Sequence, residues 1–259
     1  MTARRLIAVL GAGALVVAAG CGGAASGSGG GGSKPNLTVA AAASLTTAFT
    51  RYGTQFSQAD ARFSFAGSDE LAAQIQQGVK PDVFASANTK LPDMLHAKGM
   101  VSEPVVVTSN RLVIAVPAGS SRVRSVADLA KPGVTIAIGS ATVPIGAYTR
   151  RVLSGLPAAE EKAILANVRS NEPDVKGVIA KVTGTAVDAG FVYVTDATAA
   201  GGKAEAIRLP DRLQPQVAYA AAVVTGAKHP TQAKAFIEGL RHGAGQRDLL
   251  DAGFLAPPR

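Results

Sequence analysis

Two serines stand where a buried strand runs into a helix: Ser44 after residues 37–43 and Ser68 after residues 61–66. The first turn of a helix has unpartnered backbone N–H groups and the positive end of the helix dipole, so a hydroxyl there can cap the helix or turn toward an anion. Serine is also an ordinary N-cap residue, and one junction alone does not separate the two interpretations. The repetition of the junction favours an anion-binding site.

Two further helix starts and one strand end offer the same chemistry. Pro144 suits a first helical position because it has no N–H, which leaves the backbone N–H of Ile145, or of the residue after it, as a free donor. Asp174 is a helix-capping residue, after which the N–H of Val175 becomes available. Tyr193 lies near the end of a buried strand, where its hydroxyl needs a partner. Each also has an ordinary interpretation: a loop-to-helix start, a plain cap and a core tyrosine.

Asp69 and Glu70 directly follow Ser68. Acidic residues in a first helical turn complement the helix dipole, but they also compete with a bound anion. We therefore expect both carboxylates to point to solvent.

Other functions for the serines are a serine hydrolase and a structural or adhesive protein with an empty cleft. A hydrolase needs a base beside its nucleophile, and the chain offers only His96, His229 and His242, none in a motif that predicts contact with either serine. Removal of the Ser44 hydroxyl should abolish anion binding in a receptor, but only turnover in an enzyme. An empty cleft predicts that no oxyanion raises the melting temperature.

The elements that must position these residues alternate between short apolar runs and helical patterns, which predicts an α/β fold with mostly parallel sheets. Long apolar runs at residues 110–117 and 216–224 are suited to carry the chain from one lobe to another and back. Ligands of such sheets lie beyond the carboxyl ends of the strands, here in the cleft between the lobes. We expect a signal peptide at 1–20, a flexible Gly/Ser tether at 21–34, one lobe from 35–115 with 217–259, and a second from 116–216.

The N-terminus has the pattern of an export signal. Arg4 and Arg5 precede an apolar stretch at residues 6–19, which is shorter than the ~20 residues that a membrane-spanning helix needs. Small residues then lead to Cys21, in a pattern that resembles the lipobox of bacterial lipoproteins. This resemblance implies that Cys21 is lipidated and anchors the protein to the outer face of the cytoplasmic membrane. The alternative is a chance cysteine in an ordinary signal peptide.

Composition limits the remaining functions. The formal net charge is +8, yet the basic residues are scattered and there is no Trp, so a nucleic-acid-binding function is disfavoured. Cys21 is the only cysteine, which excludes an intramolecular disulfide.

Several motifs in order along the body resemble the molybdate-binding subunits of bacterial ABC importers. They are Ala41-Ala42-Ala43-Ser44-Leu45-Thr46, Phe65-Ala66-Gly67-Ser68, Pro81-Asp82-Val83-Phe84-Ala85-Ser86-Ala87, Val143-Pro144-x-Gly146 and Gly190-Phe191-Val192-Tyr193. The resemblance implies a two-lobed fold of the type II periplasmic-binding-protein kind with hinge strands. It also implies an oxyanion held by the hydroxyls of Ser44, Ser68 and Tyr193 and by the N–H groups of Ile145 and Val175, without a directly contacting cation.

The same resemblance implies a monomeric, non-enzymatic receptor that delivers molybdate, and also tungstate, to an ABC permease. No cofactor is expected, and no metal is bound directly because molybdenum arrives as its oxyanion. The sequence departs from the family at Ile145, where relatives usually carry a smaller residue. Sulfate or another tetrahedral oxyanion is the alternative ligand.

Overall fold

Two five-stranded sheets of the same design organise the chain, each with three adjacent parallel strands, then one antiparallel strand, then an edge strand that is antiparallel to that one. The computed structural model describes residues 34–258, which belong to one compact unit. The predicted signal peptide, most of the tether and the lipidation site Cys21 lie outside the described residues. None of the described helices is long and apolar enough to cross a membrane.

The described strands are β1 (Asn36–Ala42), β2 (Asp60–Ala66), β3 (Val83–Ser86), β4 (Val105–Asn110), β5 (Leu112–Pro117), β6 (Ile136–Gly139), β7 (Val168–Glu172), β8 (Ala189–Tyr193), β9 (Ala204–Arg208) and β10 (Val217–Val223). The α-helices are α1 (Thr46–Gln55), α2 (Ser68–Gln76), α3 (Lys90–Ala97), α4 (Pro144–Leu153), α5 (Ala158–Ala166), α6 (Val175–Thr183), α7 (Val194–Ala199), α8 (Pro230–His242) and α9 (Ala244–Asp251). Short 3₁₀ helices cover Ala43–Leu45, Ala127–Ala130 and Asp211–Leu213.

The first sheet has the order β2-β1-β3-β10-β4. β1 pairs in parallel with β2 and β3, and β10 enters antiparallel between β3 and β4. The central strands are nearly continuous apolar runs, as expected for strands covered on both faces by helices. Contacts with this sheet place α1, α2, α3, α8 and α9 in a first lobe.

The second sheet repeats the design with the order β7-β6-β8-β5-β9. β6 pairs in parallel with β7 and β8, while β5 is antiparallel to both of its neighbours. Helices α4, α6 and α7 pack on this sheet and form a second lobe with α5. In both lobes, the antiparallel fourth strand is the one that arrives from the other half of the chain.

The predicted α/β alternation is confirmed, but the passages between the sheets differ from the expectation. A single strand at residues 110–117 was expected to cross between the lobes. Instead, β4 ends in the first sheet at Asn110, β5 begins in the second at Leu112, and the passage falls on Arg111. β10 pairs only within the first sheet, so it does not itself cross. The exact limits expected for the lobes stay a prediction.

Candidate functional site

The carboxyl ends of the parallel strands of both sheets meet around one cavity of about 230 Å³, including its opening to solvent. All five sequence-predicted residues line it: Ser44, Ser68, Ile145, Val175 and Tyr193. The other lining residues are small or apolar apart from one carboxylate, and they are Ala42, Ala43, Ala66, Gly67, Ala87, Val143, Pro144 and Asp174. Strand ends and helix starts from both lobes therefore form one site, as the sequence predicted.

Ser44 belongs to the short 3₁₀ helix that connects β1 to α1. Its hydroxyl makes no cap hydrogen bond to either helix. Instead, the Ser44 Oγ lies 3.0 Å from the hydroxyl of Tyr219, and either oxygen can be the donor. The ordinary interpretation of Ser44 as an N-cap is therefore wrong. Its hydroxyl is held by a buried side chain from β10.

Ser68 is the first residue of α2, and it makes no cap hydrogen bond either. Its Oγ accepts a hydrogen bond of 3.1 Å from the backbone N–H of Ala87, just beyond the end of β3. A serine hydroxyl has one proton to donate in addition to its acceptor lone pairs. Because Ala87 uses an acceptor position, the Ser68 proton remains available to a group in the cavity.

Tyr193 is the last residue of β8 and is 1% exposed. Its hydroxyl has no hydrogen-bond partner among the described residues, although it borders the cavity. Burial raises the pKa of Tyr193 well above its ordinary value, and the nearby Tyr219, Tyr148 and Asp196 act in the same direction. Tyr193 therefore keeps its proton and is a donor without an acceptor, which is unusual for a buried polar group.

Two helix starts supply backbone donors from the second lobe. In α4 the N–H of Ala147 bonds to the carbonyl of Val143 and closes the first turn. The N–H of Ile145 lies within this first turn, ahead of that first donor, so it has no partner within the helix. In α6 the Asp174 carboxylate accepts from the N–H of Gly177 at 3.0 Å, as its expected capping role requires. The N–H of Val175 is likewise not used by the helix.

The bulk of Ile145 is accommodated by Gly139 at the end of β6. A Cβ atom on residue 139 would lie 2.5 Å from Cγ2 of Ile145. The absence of a side chain on Gly139 therefore leaves the space that the larger residue occupies. Ile145 itself is 2% exposed, so most of its side chain is packed inside the second lobe.

The two lobes touch at the rim of the cavity. A Cβ atom on Gly67 in the first lobe would lie 2.5 Å from the carbonyl oxygen of Pro173 in the second. Only a residue without a side chain fits between these two backbones. The segment Ala43–Leu45 also contacts α6 across the cleft. The cleft is thus closed over the cavity.

Charged groups are nearly absent from the lining of the site. Asp174 is the only charged residue of the lining, and its carboxylate is engaged in the cap of α6. Glu70 is exposed as expected, whereas Asp69 is half-buried, so the expectation that both point to solvent holds only for Glu70. Asp69 is partly covered because its Oδ1 lies against the backbone of Gly67, 2.9 Å from the position of a Cβ there.

An ion pair between a half-buried lysine and a buried carboxylate lies near the site, between α6 and α7. Lys176 Nζ is 2.9 Å from Asp196 Oδ1, and the side chain of Asp196 is fully buried. Burial raises the pKa of Asp196 to about 6, although Lys176 opposes the shift. Neither residue of the pair lines the cavity, but the pair places a titratable carboxyl next to the strand end that carries Tyr193.

Tyr219 is the polar neighbour of the site that sequence reasoning missed. It stands in a strand of Ala and Val residues, where a single tyrosine among small side chains was the available signal.

Within residues 34–258 no group of three or more His, Cys, Asp and Glu side chains is arranged to hold a metal ion.

Comparison with known proteins agrees with this architecture. Residues 37–255 match the family model of bacterial extracellular solute-binding proteins. The molybdate-binding protein ModA of Mycobacterium tuberculosis H37Rv is 37% identical over 86% of this chain and 85% of its own length, and that of Escherichia coli K12 is 33% identical over 79% and 83%. The periplasmic molybdate-binding protein of Azotobacter vinelandii has the same fold, with a TM-score of 0.77, 21% identity and coverage of 86% of this chain and 100% of its own. The chain belongs to the bacterial extracellular solute-binding proteins and, among them, to the family of the molybdate-binding proteins ModA.

Proposed function

We propose that this protein captures molybdate in the cavity between its lobes and delivers it to the membrane permease of an ABC importer, without catalysing a reaction. The observation that carries the proposal is the buried Tyr193 hydroxyl, which has a proton to donate and no acceptor among the described residues. It borders the same cavity as Ser68 and two helix starts. A fully deprotonated tetrahedral oxyanion only accepts hydrogen bonds, so it suits such a set of donors.

The expected strength of such a site depends on preorganisation. A hydrogen bond to a charged acceptor contributes about 1.5–3 kcal/mol. Five of them would give roughly 8–15 kcal/mol, against an association cost of ~4–15 kcal/mol. The net free energy of binding is favourable only if the donors are already in place before the ligand binds. The fixed strand ends and the hydrogen bond from Ala87 to Ser68 support this condition.

Because the donors come from two lobes, ligand binding can also change the conformation that the receptor presents to a partner. Ser44 and Ser68 belong to the first lobe, whereas Ile145, Val175 and Tyr193 belong to the second. A ligand that bonds to both groups favours the closed cleft over an open one. We propose that the permease recognises this closed form.

Tungstate has nearly the same shape and charge as molybdate, and we propose that it binds as well. Sulfate is smaller, so the same donors would reach it less well. We retain sulfate as the alternative ligand to be tested directly.

A hydrolase is less well supported than a receptor because no histidine lines the cavity. His96 Nδ1 lies 3.1 Å from the carbonyl of Val101, and His242 faces Glu238 at 3.6 Å. His229 is the residue before α8, and its backbone N–H donates to the Asp82 carboxylate. Neither serine therefore has a histidine beside it to act as a general base, among the described residues.

We also propose that the protein acts as a monomer attached to the outer face of the cytoplasmic membrane through lipidated Cys21. The support is the export pattern before Cys21 and the stretch of Gly, Ala and Ser that follows it. A linker of that composition would let the lobes reach a permease. Mass spectrometry of Cys21 in protein extracted from membranes tests the anchor.

Calorimetric titration of the purified protein with molybdate, tungstate and sulfate in turn tests the proposed ligand. We expect tight binding of molybdate and tungstate and little or no heat with sulfate. Sulfate binding as tight as that of molybdate would replace the proposed ligand by the alternative. No heat with any of the three would contradict the receptor function.

A further inference from the structure

Tyr219 lies directly behind the cavity without lining it. Its side chain is fully buried, and its hydroxyl is 3.0 Å from the Ser44 Oγ. Its ring packs edge-on against Tyr193, with centroids 5.7 Å apart, and against Phe254 at 5.4 Å. These contacts leave the ring little freedom, so the position of its hydroxyl is fixed relative to Ser44.

The strand that carries Tyr219 is irregular at this residue. Tyr219 pairs with Thr108 of β4, but the next residue, Ala220, pairs with Val106, so one residue of β4 is skipped. Such a bulge changes the direction of local side chains, and bulges are common beside functional sites. The irregularity thus coincides with the one residue of β10 that reaches Ser44.

The hydrogen bond between Ser44 and Tyr219 can have either direction, and the direction decides what Ser44 offers to the cavity. If Ser44 donates to Tyr219, its single proton is used and only lone pairs face the cavity. If Tyr219 donates to Ser44, the serine proton is free. An oxyanion without a proton is attracted only by the second arrangement.

We propose that Tyr219 is a positioning residue for the oxyanion. Its hydroxyl donates to the Ser44 Oγ, so the Ser44 hydroxyl in turn donates its own proton to the ligand. This inference rests on the proposed function. The ligand does not touch Tyr219, and the effect passes entirely through Ser44. Burial raises the pKa of Tyr219 well above its ordinary value, so the donor proton is retained across the pH range in which proteins are normally handled. Ser68 receives matching support from the N–H of Ala87, so both serines are held by a donor from behind.

A double-mutant cycle with calorimetric titration of molybdate tests the role. The proteins are the wild type, Tyr219→Phe, Ser44→Ala and the double variant. Loss of one oriented hydrogen bond predicts about tenfold weaker binding for Tyr219→Phe. If Tyr219 acts through Ser44, it has nothing to position in the Ser44→Ala protein. The double variant should then bind as Ser44→Ala does.

Two outcomes overturn the proposal: unchanged affinity in Tyr219→Phe, or an equal loss in the wild-type and Ser44→Ala backgrounds. The second would mean that Tyr219 supports the cavity only by packing. Tyr52→Phe is the matched control, since it removes another buried tyrosine hydroxyl, which donates to the carbonyl of Phe236 in the first lobe. It should leave the dissociation constant unchanged. Failure of the wild type to bind any oxyanion would instead contradict the proposed function, and this inference with it.

Discussion

At the scale of single residues, the site is defined by hydroxyls whose hydrogen bonds are incomplete within the protein. Tyr193 is the extreme case because its hydroxyl is buried and has no partner among the described residues. A buried donor without an acceptor costs about 1–3 kcal/mol of stability. The protein carries that cost at the one position where a bound oxyanion would remove it.

Tyr193→Phe should therefore separate stability from binding. Without the hydroxyl, the free energy of unfolding of the ligand-free protein should rise by about 1 kcal/mol, because the unpaired group is gone. Affinity for molybdate should fall roughly 10- to 100-fold, because a hydrogen bond to a charged acceptor is lost. Chemical denaturation and calorimetric titration measure the two effects. A variant that is less stable and binds normally would show that the hydroxyl serves the fold instead.

The individual site residues could be predicted to very different degrees. Ser44, Ser68 and the two backbone donors follow strands in a pattern that is visible in the sequence, and Tyr193 ends a strand. The predicted placement of all five around one cavity is what the structure shows. Tyr219 could not be found this way, because it meets Ser44 across 175 residues of chain through pairing of β10 with β3. Only tertiary structure brings the two hydroxyls together.

At the scale of elements, the closed cleft depends on how closely one helix start can approach the other lobe. Gly67, before α2, faces the carbonyl of Pro173, before α6. The backbones are too close to admit a side chain at residue 67. The contact belongs to the closed arrangement, since the two residues lie in different lobes.

Gly67→Ala should weaken molybdate binding by about tenfold or more, because an added methyl group in a filled contact costs about 1–3 kcal/mol. Stability of the ligand-free protein should change less, since an open cleft has room for the methyl group. Titration calorimetry gives the affinity, and small-angle scattering with saturating molybdate gives the radius of gyration. Gly184→Ala, at the end of α6 and outside the cavity lining, is a matched control. Normal affinity and normal compaction in Gly67→Ala would contradict the expectation.

At the level of elements, the strands predicted at residues 37–43 and 61–66 correspond to β1 and β2. The change of sheet between β4 and β5 was not predicted, because only Arg111 separates the two strands. β9 was also not predicted; it lies at a sheet edge, and all five of its residues are partly or fully exposed. The apolar pattern of a strand weakens when neither face is fully buried.

At the scale of the whole molecule, the buried carboxyl of Asp196, paired with Lys176, links stability to pH. The pKa of Asp196 is about 6 in the folded protein, above its ordinary value of 3.8, mainly because of burial. The folded state therefore holds this proton more tightly than the unfolded state. Its contribution to stability is complete below pH 4 and is lost as the pH rises to about 6.

Asp196→Asn should remove this pH dependence, because asparagine does not titrate. The stability of the variant relative to the wild type should increase by roughly 2–3 kcal/mol between pH 4 and pH 7. Urea denaturation at several pH values measures the difference. Lys176→Gln should increase the pH dependence of stability, since loss of the cation raises the pKa of Asp196 further. A stability difference between Asp196→Asn and wild type that stays constant with pH would contradict the shift.

The position of β10 also determines the order in which the protein can be completed during synthesis. All five strands of the second sheet have been made once Arg208 is reached, whereas the first sheet waits for Val217–Val223 to fill the gap between β3 and β4. A nascent chain that ends before residue 217 contains both serines and Tyr193, yet it lacks the hydroxyl beside Ser44. The lobe that is begun first is finished last, and the serine end of the cavity becomes complete only as the last part of the chain emerges.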